Sequence, residues 1–502
     1  MKKFVLDGDS VTVDSLYEMT MQSGRFEVAP SAILKMKQSR DFIEARIKNG
    51  DVMYGVNTGF GAFSSVRISD AQIEQLQKNL IRSHSMGIGD PFTREQSKAM
   101  MILRANTLAR GHSGVRPEVV EKILEFLNFD IIPIIPQQGS VGASGDLAPL
   151  SHLALALIGE GEVWGGDLKG IKPLELKAKE GLSLINGCQV MTAVGLLSLY
   201  EARDLLKIAD IAGAMSIEGL RGSRGPFDPL IAAARPHSGE APTARNLLKV
   251  MSPSSQISES HAVNDPRVQD AYSLRCMPAV HGAAKMALQY VVKVLETEAN
   301  SSTDNPLVFS ESKKILSCGN FHGMPVAHAM DFAAIAVSSL ASISHERISK
   351  FISTQMSNLP PFLAPDGGLN SGHMIVQVAS ASLVSENKVL AHPASVDSMP
   401  TSAEKEDHVS MGTIAARKFS QVVKNAQNVF AMEFLSATQA LDLLLPLKPA
   451  AGVEKAFNEV RKKVPFARVD RIFSRDVDAI RQLILTRVIL QAVEAEVGSL
   501  EI

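Results

Sequence analysis

From residue 189 onward one pattern dominates the chain and sets its fold class: apolar side chains return every three or four residues over stretches longer than an ordinary helix. Val190, Val194, Leu197, Leu205, Ile208, Ala212 and Met215 keep a period near 3.6 with no proline among them. Residues 408–445 contain no proline and one glycine, Gly412, before Pro446 closes the run. Further helices are predicted at 281–299, at 325–353 with Pro325 in the first turn, and at about 380–390. Such lengths exceed the mean helix of about 11–12 residues, and helices apolar on several faces must pack into a bundle that continues across subunit boundaries. Residues 1–188 read differently, as short elements and glycine-rich loops. Thr93 and Gln96 have capping-box spacing ahead of an Ala/Met/Leu run that stops at Gly111. The expectation is a mainly α protein: a long-helix bundle over 189–502 and a smaller mixed N-terminal region over 1–188, interlocked as one unit.

Composition narrows the partners. A net charge of −2 over 502 residues leaves no basic footprint for nucleic acid or an anionic membrane, so a small molecule is expected. Cys188, Cys276 and Cys318 are odd in number and lack CxxC spacing, which argues against a disulfide framework and a zinc site and fits a reducing cytoplasm. Asp7 and Asp9 interrupt the apolar stretch that a signal peptide would need. The weakly polar run 332–343 reads as a buried helix, too short to span a bilayer.

The segment QQGSVGASGDLAPLSH, residues 137–152, carries the chemistry. Gly145 has no Cβ, so its amide nitrogen can attack the Ala143 carbonyl in a tight bend. Closing that bond expels one water. Loss of the Ser144 hydroxyl with its Cα hydrogen expels a second and leaves an exocyclic methylidene. The product is a 4-methylideneimidazole-5-one ring, a Michael acceptor made from the chain alone. Asp146 follows as a proton acceptor or turn anchor. Tyr54 opens YGVNTGFGAF, where Gly55, Gly59 and Gly61 suit a mobile lid. Arg275 follows Gln269 by six residues and Tyr272 by three, a spacing that puts all three on about one helical face, and its guanidinium can grip a carboxylate through two hydrogen bonds. Asn186, in LINGCQVMTA, reads as an N-cap ahead of Val190. Phe321, in GNFHGMP, reads as core. His322 and His328 lie six apart and His345-Glu346 lacks the second histidine of HExxH, so no metal is assigned.

In order along essentially the whole chain, these segments resemble the signature of the histidine, phenylalanine and tyrosine ammonia-lyase family. The resemblance implies that Ala143, Ser144 and Gly145 become the methylideneimidazolone prosthetic group, with no metal or nucleotide. It implies that Tyr54 is the catalytic base, whose phenol, with a pKa of about 10 when unperturbed, calls for donors or helix N-termini aimed at its oxygen. It assigns Arg275 to the substrate carboxylate, Tyr272 and Gln269 to the catalytic hydrogen-bond network around it, Asn186 to substrate carboxylate and prosthetic group, and Phe321 to the cavity wall. Members are tetramers whose active sites draw on three chains, so a homotetramer is expected.

Within the family, His84 in IRSHSMGIGD, Met374 in NSGHMIVQ and Glu406 in AEKEDHVSMG match the histidine branch. The resemblance therefore implies non-oxidative deamination of L-histidine to trans-urocanate and ammonia, a step of histidine catabolism. Glu406 would read the imidazole, because beside a bare phenyl ring it would be a buried unpaired charge. Lys405 should then point elsewhere, and ring formation should use residues other than those that read the substrate. Met324, Lys405, Cys188, Ala279, His281 and His373 depart from the pattern of that branch. Two alternatives follow: a sister lyase or aminomutase acting on tyrosine, phenylalanine or a modified histidine such as ergothioneine, and an inactive helical scaffold.

Overall fold

The computed structural model describes every residue except 1, 64, 264 and 266. Helices dominate: among the described residues there are twenty α-helices and eight short strands. The strands form four separate two-stranded pairings, among them parallel Lys2–Leu6 with Gly24–Val28 and antiparallel Leu307–Phe309 with Lys314–Leu316.

Two compact units emerge, each discontinuous in sequence. The first comprises Met1–Tyr200, Val291–Asp331 and Pro393–Arg417; the second comprises Glu201–Tyr290, Phe332–His392 and Lys418–Ile502. A division at residue 188 thus describes the texture of the sequence, while the units themselves interleave along the chain.

The long helices run Gln189–Gly219, Met277–Ala299, Met324–Ile352 and Gly412–Leu443. Pro325 sits in the first turn of the third, where its missing N–H costs nothing. The last begins four residues later than the proline-free run suggests, because Met411 takes a left-handed backbone (φ 54°) and Ser410 and Met411 bond the 141–142 backbone instead. Met374–Leu390 starts six residues before its expected position. The capping box at Thr93 forms as read: its hydroxyl accepts from the Gln96 N–H at 3.2 Å, and the Gln96 amide oxygen accepts from the Thr93 N–H at 3.1 Å. The helix it starts, Arg94–Ala109, is buried at every residue from Ser97 to Ala109, so it is a core helix of the first unit.

The apolar run 332–343 proves to be part of a 29-residue helix that is long and apolar enough to cross a membrane. Of its most apolar 18-residue window, 61% is buried inside the protein, the condition of a core helix.

Candidate active site

The Ala143-Ser144-Gly145 loop is clamped from two sides. Gly142 and Gly145 have φ of 66° and 74°, conformations that favour glycine. A Cβ on Gly145 would strike the Gly187 carbonyl, and one on Gly142 the Ser410 hydroxyl. On one side the Asp146 N–H donates to the Gly187 carbonyl at 2.7 Å. On the other, the Ser410 hydroxyl donates to the Gly142 carbonyl at 2.9 Å and the Met411 N–H to the Val141 carbonyl at 2.9 Å. Among the described residues, neither the Gly145 N–H nor the Ala143 carbonyl takes part in a hydrogen bond, so the two groups that must join are uncommitted.

Asp146 is the pin of this clamp. Its fully buried carboxylate accepts from the Val190 and Met191 N–H groups at 3.0 Å each, from the Ser140 hydroxyl at 3.3 Å and from the Thr413 hydroxyl. It thereby caps Gln189–Gly219, at the helix end that favours negative charge. Burial nevertheless pushes its pKa up to about 6. Asn186 does not cap that helix; it ends Glu180–Ile185, as its C-cap.

Ser144 opens onto a cavity of about 1440 Å³ whose wall includes Tyr54, His84, Asn186, Phe321 and Glu406, all of the first unit. The Ser144 hydroxyl donates to Glu406 Oε1 at 2.7 Å, while Oε2 accepts from the hydroxyls of Thr401 at 2.9 Å and Ser402 at 2.7 Å. The ring-forming Ser144 and the expected ring-reading Glu406, though different residues, are therefore in direct contact. Ser402, Ala403 and Glu404 all have positive φ, between 51° and 64°. Left-handed backbone at a non-glycine residue costs about 1–2 kcal/mol, and here it shapes the turn that presents Glu406.

His84 ends the helix Ile73–His84, and its Nδ1 lies 2.9 Å from the Leu80 carbonyl, which can only accept, so Nδ1 carries a proton. Burial lowers its pKa, which favours the neutral ring with Nε2 as an acceptor. The Cys188 thiol donates to the Phe321 carbonyl at 3.0 Å and ties that wall segment to the residue following Gly187. The Tyr54 hydroxyl has no donor aimed at it among the described residues, contrary to expectation; its turn includes Gly55 at φ 68°. Lys405 also lines the cavity, exposed, rather than pointing elsewhere.

The remaining expected residues lie in the second unit. Gln269, Tyr272 and Arg275 do meet, but not on one helical face: the helix Tyr272–Arg275 has only four residues and Gln269 precedes it. Arg275 Nη2 donates to the Gln269 side-chain oxygen at 3.1 Å, Nε donates to the Asp270 carbonyl at 3.0 Å, and the guanidinium stacks 4.6 Å over the Tyr272 ring. Tyr272 is 72% exposed. Met374 is the first residue of Met374–Leu390 and half-buried.

Two of the departures have structural roles: His281 is buried against Asp210 at 2.8 Å, and His373 is buried beside the Ser436 hydroxyl at 3.3 Å with its pKa pushed down to about 3 by burial. The rings of His322 and His408 stack at 5.9 Å, and no cluster of three metal-ligating side chains occurs among the described residues. Sequence reasoning missed the Thr401 and Ser402 hydroxyls and the buried pair Lys179–Asp304 behind Asn186. Thr401, Ser402 and Lys179 lie near the EKED and LING segments in sequence, which was the only hint of them, and Asp304, 118 residues from Asn186, gave none.

The family described as aromatic amino acid lyase matches residues 11–462. The chain is 47% identical to histidine ammonia-lyase of Anaeromyxobacter dehalogenans (strain 2CP-C), covering 96% of this chain and 99% of that protein. The crystal structure of histidine ammonia-lyase from Trypanosoma cruzi superposes with a TM-score of 0.91 at 41% identity, covering 98% of this chain and 95% of that one. Tyrosine aminomutase from Streptomyces globisporus superposes with a TM-score of 0.93 at 36% identity, covering 99% and 100%.

Proposed function

This chain belongs to the aromatic amino acid lyase family, and we propose that it deaminates L-histidine to trans-urocanate and ammonia. It is a carbon–nitrogen lyase. The observation that carries the substrate is Glu406, a carboxylate held by three hydroxyls and turned towards Ser144 at the cavity, where an imidazole N–H can replace the Ser144 hydroxyl once that hydroxyl is lost.

The residues fit a methylideneimidazolone. Gly145 and Ala143 have their reacting groups free, the clamp from Gly187 and Ser410 holds the bend, and no atom beyond Ala143, Ser144 and Gly145 is required. When formed, the ring supplies an electrophile and electron sink for the substrate amine. Around it, Tyr54 takes the β-proton onto its phenol oxygen. Arg275 holds the carboxylate through its planar fork, with Tyr272 stacked on the guanidinium and Gln269 bonded to it. His84, neutral, offers Nε2 as a second acceptor near Glu406, and Met374 completes the wall around the substrate ring. Phe321 limits water at the reacting carbon.

A homotetramer with shared sites accounts for Arg275, Gln269, Tyr272 and Met374, which copies of the chain would bring to one another's cavities; the exposure of Tyr272 supports this. The cytoplasm is the proposed location, in keeping with three free cysteines. Lys405 on the cavity wall favours one second reading, a sister activity on tyrosine, phenylalanine or ergothioneine. Incubating the purified protein with L-histidine and following urocanate absorbance tests the proposal. No urocanate, with ammonia or trimethylamine released from one of the other substrates, would move the assignment to that reading.

A further inference from the structure

Beneath the turn that carries Arg275, an arginine and a glutamate are sealed from solvent. Arg347, on the helix Met324–Ile352, and Glu433, on the helix Gly412–Leu443, have side chains 0% exposed. They pair through two hydrogen bonds, Nε donating to Oε1 at 2.5 Å and Nη2 to Oε2 at 2.9 Å. Oε1 also accepts from the Ser216 hydroxyl and Oε2 from the Ser344 hydroxyl, both at 2.6 Å, so the carboxylate is saturated. Apolar residues of similar volume could fill such a space at least as stably, and the pair therefore calls for a role other than cohesion.

The remaining nitrogen of Arg347 supplies one. Nη1 donates to the Ser273 carbonyl at 3.4 Å, and among the described residues that carbonyl takes no other hydrogen bond. Its openness follows from the chain path: the helix Tyr272–Arg275 stops at Cys276 and Met277–Ala299 starts anew, so no backbone N–H further along closes onto Ser273. The guanidinium fills that gap. Ser273 and Leu274 are buried while Tyr272 is exposed, which gives the turn an inner edge held by Arg347 and an outer edge that carries Tyr272 and the half-buried Arg275. The bonds of the Arg275 guanidinium itself run to Gln269 and Asp270 of the same loop, and set its direction only within that loop. Ahead of the turn, the loop is tied down where the helix Gln189–Gly219 ends, by the Ser223 N–H donating to Asp270 Oδ2 at 2.6 Å and by Arg267 Nη1 donating to the Leu220 carbonyl at 3.0 Å. Under the turn, the tie is Arg347. All of these residues belong to the second unit.

We propose that Arg347 and Glu433 are positioning residues for the reaction: the buried pair aims one N–H at the Ser273 carbonyl and so fixes the height and tilt of the turn from which Arg275 grips the substrate carboxylate. The inference rests on the assignment of Arg275 to that carboxylate. A grip made of two hydrogen bonds in one plane is sensitive to small displacements of its backbone, which a rigid support beneath it prevents.

The test is a double-mutant cycle in the full-length protein with L-histidine as substrate, read as kcat/KM for urocanate formation with thermal midpoints alongside. Arg347→Lys keeps a charge beside Glu433 but lacks the planar fork and cannot serve Glu433 and Ser273 together. It should lower kcat/KM roughly 3- to 10-fold, the effect of one hydrogen bond, through KM rather than kcat. In an Arg275→Lys background the same substitution should change kcat/KM by less than about twofold, because the grip it supports is already lost. Two losses that multiply in full are what a merely structural role gives, and overturn the proposal. Arg347→Met combined with Glu433→Leu replaces the pair by apolar volume, and the freed Ser216 and Ser344 hydroxyls can turn to carbonyls of their own helices. That variant should melt near or above the wild type and still show the loss in kcat/KM; wild-type kcat/KM there overturns the proposal even if Arg347→Lys does not fold. Unchanged kcat/KM in Arg275→Lys alone would refute the assignment on which the inference rests, and the inference with it. A wild-type protein that leaves histidine intact would refute the histidine assignment instead, and the same cycle is then run with the amino acid it does turn over, whose carboxylate is the same.

Discussion

Glu406→Gln keeps the volume of the side chain and removes its charge. In the structure Oε2 is committed to the Thr401 and Ser402 hydroxyls, and among the described residues Oε1 accepts only the Ser144 hydroxyl, at 2.7 Å. Under the proposed function, ring formation removes that hydroxyl and leaves Oε1 as the acceptor for an imidazole N–H. A hydrogen bond to a charged partner contributes about 1.5–3 kcal/mol, so kcat/KM for histidine should fall roughly 10- to 150-fold. The amide oxygen of glutamine can still accept from Ser144, so the prosthetic ring should form as before. The assay pairs steady-state urocanate formation with intact-protein mass. Wild-type kcat/KM would refute the assignment of Glu406 to the ring. A fall in activity accompanied by a full, unmatured mass would show that Glu406 acts through Ser144 alone.

Gly145→Ala should give a protein of full mass without turnover, because φ of 74° and the Gly187 carbonyl exclude a Cβ there; a matured variant would contradict the clamp. Arg275→Lys, which loses the bidentate fork, should cost on the order of 1.5–3 kcal/mol of transition-state binding, read from kcat/KM, and native enzyme should bind histamine poorly; equal binding of histamine and histidine would reject the role of Arg275. Asp146 should leave a signature in the pH dependence of stability. Its pKa is about 6 in the folded chain and that of an unfolded aspartate about 3.9, so the folded state binds the proton more tightly; the stabilising contribution is complete below about pH 4 and is lost as pH rises through 6, by about 3 kcal/mol. Thermal midpoints of wild type and Asp146→Asn measured from pH 4 to 7 should diverge in slope over that window, and parallel profiles would contradict the burial of an ionisable carboxylate at this position.

The long helices were legible because their apolar period and missing prolines are local properties, and Pro325 and the Thr93–Gln96 box marked ends that the structure keeps. The start of the last long helix was not, since Ser410 and Met411 are diverted by hydrogen bonds to residues 141 and 142, far away in sequence. For the site, the Ala-Ser-Gly tripeptide and Glu406 could be read because the segments around them resemble the family signature; by residue type alone they would read as a loop and a solvated charge run. The supporting polar groups could not: an aspartate that caps a helix 43 residues on at Gln189, or a buried lysine paired with an aspartate 125 residues away, has no sequence period and no fixed spacing. Arg275, Tyr272 and Gln269 fall between these cases. Their spacing suggested a shared face, and they meet instead through a stack and a side-chain bond around a four-residue helix.

The central claim is that Ala143, Ser144 and Gly145 become the electrophile of the reaction. The intact mass of a preparation that is actively forming urocanate tests it most directly. The account predicts a mass two waters below that of the encoded chain, with Ser144→Ala regaining at least one of them and losing turnover. An active wild-type preparation at full mass, or near-wild-type turnover in Ser144→Ala, would contradict it.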